Sequence, residues 1–130
     1  MSEEKYAVLI VEDSQLISKR MESQLKELDC ISETFLAYNY PDAVEQIENK
    51  DIDAVIMDIN LSVPGKNGLD LLQFVKDNYP DIKTIMLTNQ SNEFYRNLCL
   101  KIGSDHFMDK SSEFEKIPSL IQDFYNQRMI

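Results

Sequence analysis

The chain alternates, five times over, between a short segment rich in apolar and β-branched residues and a longer stretch whose apolar residues recur every three or four positions. This alternation limits the fold more than any other feature. A short unbroken apolar run suits a strand covered on both faces, whereas a helical stripe needs cover on one side only. Tyr6–Val11 (YAVLIV) and residues 54–57 (AVIM) are such runs, and residues 82–87 (IKTIML) resemble them. Residues 31–38 mix polar with aromatic and β-branched types, which predicts a strand nearer an edge, and residues 105–108 form a brief fifth strand.

Each strand leads into a helix with its own start signal. Ser14 is placed to cap a helix whose stripe is Ile17, Met21, Leu25 and Leu28. Asn39-Tyr40-Pro41-Asp42 opens the next, with Ala43, Val44 and Ile47 facing inward; Asn67 and Gly68 introduce Leu71, Leu72 and Val75. The spacing of Phe94, Leu98 and Ile102 predicts a helix over 91–102, stopped by Gly103. Ser112-Glu113-Phe114-Glu115 has the pattern of a capping box before Ile117, Leu120, Ile121 and Phe124, with Pro118 in the early turns. The expected fold class is therefore α/β, a doubly wound parallel sheet of five strands with five helices joined by right-handed crossovers.

With 130 residues, one domain spanning 1–130 is enough to bury a core. No apolar run approaches the ~20 residues of a membrane helix. The N-terminal MSEEKY lacks the basic and apolar segments of a secretion signal, so a cytoplasmic protein is expected. A formal charge of -10 disfavours nucleic acid and anionic membranes as partners. That acidity is either a solvated surface or is concentrated where a divalent cation compensates it. Cys30 and Cys99 read as small buried residues rather than a disulfide framework or zinc site.

In a parallel sheet the carboxyl ends of all strands share one edge, where open α/β folds place ligands. Here those ends carry Glu12-Asp13, Asp58, Thr88 and Lys110. Taken singly, each has an ordinary reading: Asp58 a turn cap, Glu12-Asp13 a solvated turn, Thr88 a strand residue, Lys110 a surface charge. Their convergence is the distinguishing feature. Three crowded carboxylates would repel one another without a cation, and an incomplete set of oxygen ligands suits Mg²⁺. An Asp58 carboxylate oxygen can then attack phosphorus, with Mg²⁺, the Lys110 ammonium, and the Thr88 hydroxyl or a backbone N–H each taking one phosphoryl oxygen.

The motifs VLIVEDS, VIMDINL, IMLTNQ and HFMDKS, spread over essentially the whole chain, resemble those of response-regulator receiver domains of two-component signalling. The resemblance implies a flavodoxin-like (β-α)5 receiver with Asp58 as phosphoacceptor, catalysing only its own phosphorylation and dephosphorylation. It implies Mg²⁺ held by Asp13, Asp58 and the backbone carbonyl of Asn60, with Glu12 acting through water, and it assigns Lys110 and Thr88 to the phosphoryl group. The donor would be a histidine kinase or histidine phosphotransfer protein. Thr88 and Phe107 would form a switch that changes the face made by the fourth helix, fifth strand and fifth helix. That face would meet a downstream protein target or, on phosphorylation, a second copy of the chain.

Several positions depart from the pattern. Receivers usually carry Pro four and Gly eight residues after the phosphoacceptor; here Pro64 and Gly68 lie six and ten after Asp58, so the loop is two residues longer, and Lys66 brings a charge toward the site. Asn89 stands where a small residue is usual and is expected to narrow access to the phosphoryl group. Phe107 replaces a frequent Tyr, and Ser111 replaces a Pro that often follows a cis bond. His106 reads as structural or exposed rather than catalytic. Rival readings are a receiver-shaped binding module that is never phosphorylated, a haloacid-dehalogenase-like phosphatase, and a flavodoxin-like electron carrier. The phosphatase class needs a second Asp where Asn60 stands, and the carrier needs a phosphate loop that does not follow the first strand.

Overall fold

A computed structural model describes residues 5–61, 66–89 and 92–128. Its elements are β1 (Tyr6–Val11), α1 (Gln15–Lys26), β2 (Ile31–Ala37), α2 (Tyr40–Asn49), β3 (Ala54–Asp58), α3 (Gly68–Asn78), β4 (Lys83–Thr88), α4 (Glu93–Ile102), β5 (His106–Asp109) and α5 (Ile117–Arg128). A short 3₁₀ turn, Phe114–Lys116, precedes α5. All strand pairs are parallel, in the order β2-β1-β3-β4-β5. The mixed composition of β2 matches its place at the edge.

The continuous apolar runs are explained by burial on two sides. Leu9, Val11, Val55 and Met57 point toward α2, α3 and α4, where Ala43, Ile47, Leu71, Leu72, Val75 and Cys99 meet them. Their neighbours Val8, Ile10, Ala54 and Ile56 point the other way, onto Met21 and Leu25 of α1 and Ile117, Ile121 and Phe124 of α5. Winding reverses between β1 and β3, so the crevice at their carboxyl ends is the natural ligand position.

The helix starts follow their side chains. Ser14 accepts from the N–H of Ile17, Asn39 from that of Asp42, and Asn92 from that of Tyr95. Asn67 accepts from Leu69 and Asp70 while the Asp70 carboxylate accepts from the Asn67 N–H, a reciprocal capping box. Gly103, at φ 122°, ends α4 in a conformation that side chains disfavour. Among the described residues no helix is long and apolar enough to cross a membrane.

The structure corrects four local expectations. Phe94 is 68% exposed; Tyr95 and Cys99 join the expected Ile102 on the inner face of α4, with fully buried Cys99 at its centre. The described part of that helix begins at Glu93, and Ser91 lies outside the described residues. Ser112–Glu115 forms no capping box: the Glu113 carboxylate turns back to accept from the Asp109 N–H, and α5 starts only at Ile117. Strands β4 and β5 each begin one residue late: the Ile82 N–H closes the preceding turn onto the Tyr79 carbonyl, and the Asp105 N–H reaches across to the Thr84 carbonyl in β4 before the ladder of β5 begins.

Cys30 and Cys99 are both buried and free. Burial pushes the Cys99 thiol up to about 11 and raises that of Cys30 as well. The thiolate is the reactive form, so neither cysteine is expected to react with a disulfide reagent near pH 8 until denaturant opens the fold. Rapid labelling of the native chain would contradict this packing.

Candidate functional site

Strand register sets the geometry. Val11 lies opposite Met57, Asp58 opposite Leu87, and Thr88 opposite Asp109. Residues one step past or at these ends therefore share one edge, where Glu12, Asp13, Asp58 and Lys110 bring their side chains together and Thr88 ends β4.

Lys110 is the centre of the constellation. Its Nζ lies 2.6 Å from Asp58 Oδ2 and 2.7 Å from Glu12 Oε1, an ion-paired bridge between β1 and β3 supplied by the residue after β5. The remaining oxygens are held by backbone: Asp58 Oδ1 accepts from the Asn60 N–H at 3.1 Å, and Glu12 Oε2 from the Ser14 N–H at 3.0 Å. Glu12 and Asp58 are 1% and 6% exposed, so these contacts replace nearly all the water each carboxylate would otherwise have. Burial raises the Glu12 carboxyl above its ordinary range, with Lys110 and the Ser14 N–H drawing it partly back. Burial alone would lower the Lys110 ammonium, but its bonds to Asp58 and Glu12 outweigh that and hold it above the usual lysine value.

Asp13 is the exposed member. Carboxylate oxygens of Glu12, Asp13 and Asp58 all lie within 4.8 Å of one another. Three carboxylates against one ammonium leave a formal excess of two negative charges, and the donors are hard oxygens open to solvent on one side. That donor set fits a small divalent cation that retains waters, such as Mg²⁺.

The supporting residues are as informative. A Cβ on Gly68 would stand 2.0 Å from the Asp58 carbonyl oxygen and 2.8 Å from Ile59 Cα, so the first residue of α3 lies directly against the backbone that carries Asp58. The Gly68 N–H also donates to the Ile59 carbonyl. Sequence reading placed Gly68 at a helix start without this contact. Thr88 is fully buried, and the Lys110 N–H donates to its carbonyl. Phe107 is 4% exposed and belongs to the core on the α2–α4 side, opposite Met86. Exposed Asn89 joins Arg20, Lys110 and Ser111 in lining a cavity of about 480 Å³ beside the pocket.

Lys66 places its ammonium 5.4 Å from the Tyr40 ring, toward α2, whereas Pro64 and Gly65 lie outside the described residues. No cis peptide bond occurs among the described residues; after Lys110 the chain turns on the Asp109 carboxylate, which accepts from both the N–H and the hydroxyl of Ser111. His106 packs its ring against Phe124 at 5.5 Å, a structural contact.

A doubly wound sheet with a lysine-bridged acidic pocket at the β1/β3 crevice defines a class of signalling domain. The response regulator receiver domain family matches residues 8–122, and the chain belongs to that family. Solved structures agree in fold. The receiver domain of Francisella response regulator 1452 superposes with a TM-score of 0.85 at 20% identity, covering 95% of this chain and 99% of that one. A CheY-like receiver domain protein from Methanospirillum hungatei gives 0.78 at 24% identity, covering 95% and 98%. A response regulator from Burkholderia pseudomallei, solved with a phosphorylated aspartic acid, calcium ion and citrate, gives 0.79 at 18%, covering 96% of this chain and 71% of that one.

Proposed function

We propose that residues 1–130 work as one phosphoacceptor unit, phosphorylated on Asp58 by a phosphohistidine of a kinase or phosphotransfer protein in the cytoplasm. The observation that carries this reading is the Lys110 bridge between Asp58 and Glu12 beside exposed Asp13. Asp13, Asp58 and the Asn60 carbonyl, with Glu12 through water, would hold Mg²⁺, whose positive charge offsets that of the incoming phosphoryl oxygens. An Asp58 carboxylate oxygen forms the new bond to phosphorus as the phosphorus–nitrogen bond of the donor breaks, and the imidazole leaves with the bonding pair. Lys110, already within hydrogen-bonding distance of Asp58, holds a second phosphoryl oxygen, and the Thr88 hydroxyl a third.

The backbone also contributes. The Asn60 N–H fixes the Asp58 carboxylate, and Gly68 permits the close approach of α3 behind it. The aspartyl phosphate in the similarly folded Burkholderia protein supports the same chemistry here. Thr88 and Phe107 then pass the modified state to the α4–β5–α5 face, which meets a downstream protein.

Intact mass tests this reading. With Mg²⁺ and a small phosphodonor the wild-type chain should gain one phosphoryl group, and Asp58→Asn, or wild type with chelator, should gain none. Equal modification of Asp58→Asn removes Asp58 as acceptor; an unmodified wild type favours a binding module. Replacing Asn89 by Ala should open the cavity to water and speed dephosphorylation several-fold, and an unchanged rate rules out a shielding role for Asn89.

A further inference from the structure

The apolar anchoring of α5 stops one turn before its end. Its buried residues are Ile117, Ile121 and Phe124, whereas Asn126, Gln127 and Arg128 are exposed. A helix end without a buried stripe is marginal on its own and frays unless a side chain ties it down. Arg128 supplies the tie. Its Nη1 lies 2.7 Å from Asp53 Oδ1, and its Nη2 donates to the Lys5 carbonyl at 2.9 Å. The guanidinium also stands 4.8 Å from the centroid of the Tyr6 ring, which meets the Tyr125 ring edge-on at 6.2 Å. Asp53 is itself held, because its Oδ2 accepts from the Ala7 N–H at 2.8 Å. One side chain at the end of α5 thus reaches the starts of β1 and β3, at the pole of the sheet opposite the acidic pocket.

We propose that the last turn of α5, residues 125–128, is a latched lid over this pole, held shut by Arg128 and able to open without unfolding the body of the helix. The latch is weak enough to work as one. Its two charged side chains are 36% and 30% exposed, so salt screens the pair, and the ring contact adds an increment of similar size. Beneath the lid lies Tyr6, 2% exposed. Two clefts of about 420 and 410 Å³ meet at the latch, and Asp53 and Arg128 line both. Swinging the guanidinium away joins them into one trough with the Tyr6 ring in its floor. The rest of α5 stays in place, since Ile117, Ile121 and Phe124 remain packed on the sheet. The device uses no residue of the acidic pocket, so it stands apart from the phosphoacceptor reading.

Amide hydrogen exchange of the full chain, followed residue by residue by NMR at low salt, tests the lid. Arg128→Met should speed exchange of the N–H groups of residues 125–128 about three- to ten-fold, the combined size of an exposed ion pair and a cation–π contact. The N–H of Ile121 and those of the strands should exchange as in wild type. Asp53→Asn, which keeps an oxygen for the Ala7 N–H, should speed the same last-turn amides about two- to four-fold, and adding it to Arg128→Met should speed them no further. Salt at about 1 M should move wild type toward Asp53→Asn and leave Arg128→Met where it is. Equal exchange in wild type and Arg128→Met overturns the latch. Additive effects of the two substitutions overturn the pairing on which it rests. Faster exchange spread evenly over strands and helices in Arg128→Met overturns the lid, since the contact would then support the fold as a whole.

Discussion

Replacing Lys110 by Met is expected to cost about 3–5 kcal/mol near neutral pH, the range for removing one partner of a buried ion pair. Glu12 and Asp58, at 1% and 6% exposure, would face each other with no protein cation between them. The deficit depends on pH in a definite direction. Glu12 is already raised by burial, and loss of the ammonium raises it further. The folded variant then binds more protons than the unfolded chain above the ordinary Glu value of about 4.3, so its stability falls as pH rises through that window. In the wild type the raised Lys110 contributes stability that is complete below the ordinary lysine value and is lost as pH climbs through its higher folded value. The stability difference between the two proteins should therefore be small in acid, widest at intermediate pH, and smaller again in strong alkali. Urea unfolding across that range measures it, and a difference independent of pH would mean the bridge is not the source. Phosphorylation from a small donor should fall about 10²–10³-fold in the same variant, as when one preorganised charge contact to a transition state is removed.

Gly68→Ala should be the more damaging of two glycine substitutions. The added Cβ would lie 2.0 Å from the Asp58 carbonyl oxygen, and since every atom it meets is backbone, no rotamer change relieves the clash. Overpacking of this kind costs about 1–3 kcal/mol, and displacing Asp58 by about an ångström should slow phosphorylation about 10²-fold. Gly103→Ala is the contrast: its left-handed φ of 122° makes the substitution strained, but its Cβ would touch only the Lys76 side chain at 3.4 Å or beyond. It should lower stability and leave the phosphorylation rate unchanged. Equal stability and rate for Gly68→Ala and wild type would show that α3 does not brace the phosphoacceptor strand.

Much of the fold was legible because its signals are local and repeated. The runs at β1 and β3 suit strands buried on both sides, and Ser14, Asn39 and Asn67 mark helix starts through their own oxygen atoms. The placement of Glu12, Asp13, Asp58, Thr88 and Lys110 at one edge of the sheet followed from parallel strands sharing that edge. Sequence failed where two local rules compete. Phe94 has the right spacing for a buried face, but Tyr95 and fully buried Cys99 take the inner side of α4. Glu113 has the right spacing for a capping box, but the N–H of Asp109 takes its carboxylate. Contacts made only in three dimensions left no trace in the pattern: the second carboxylate on Lys110, the backbone pressed against Gly68, and the guanidinium over Tyr6.

The chemistry assigned to Asp58 is most directly tested by trapping. Treating the phosphorylated chain with borohydride converts an aspartyl phosphate to homoserine, and fragment masses then locate the changed residue. Reduction confined to position 58, and absent when Mg²⁺ is chelated beforehand, is the expected result. Reduction at Asp13 or any other carboxylate, or equal reduction with and without the metal, would contradict it.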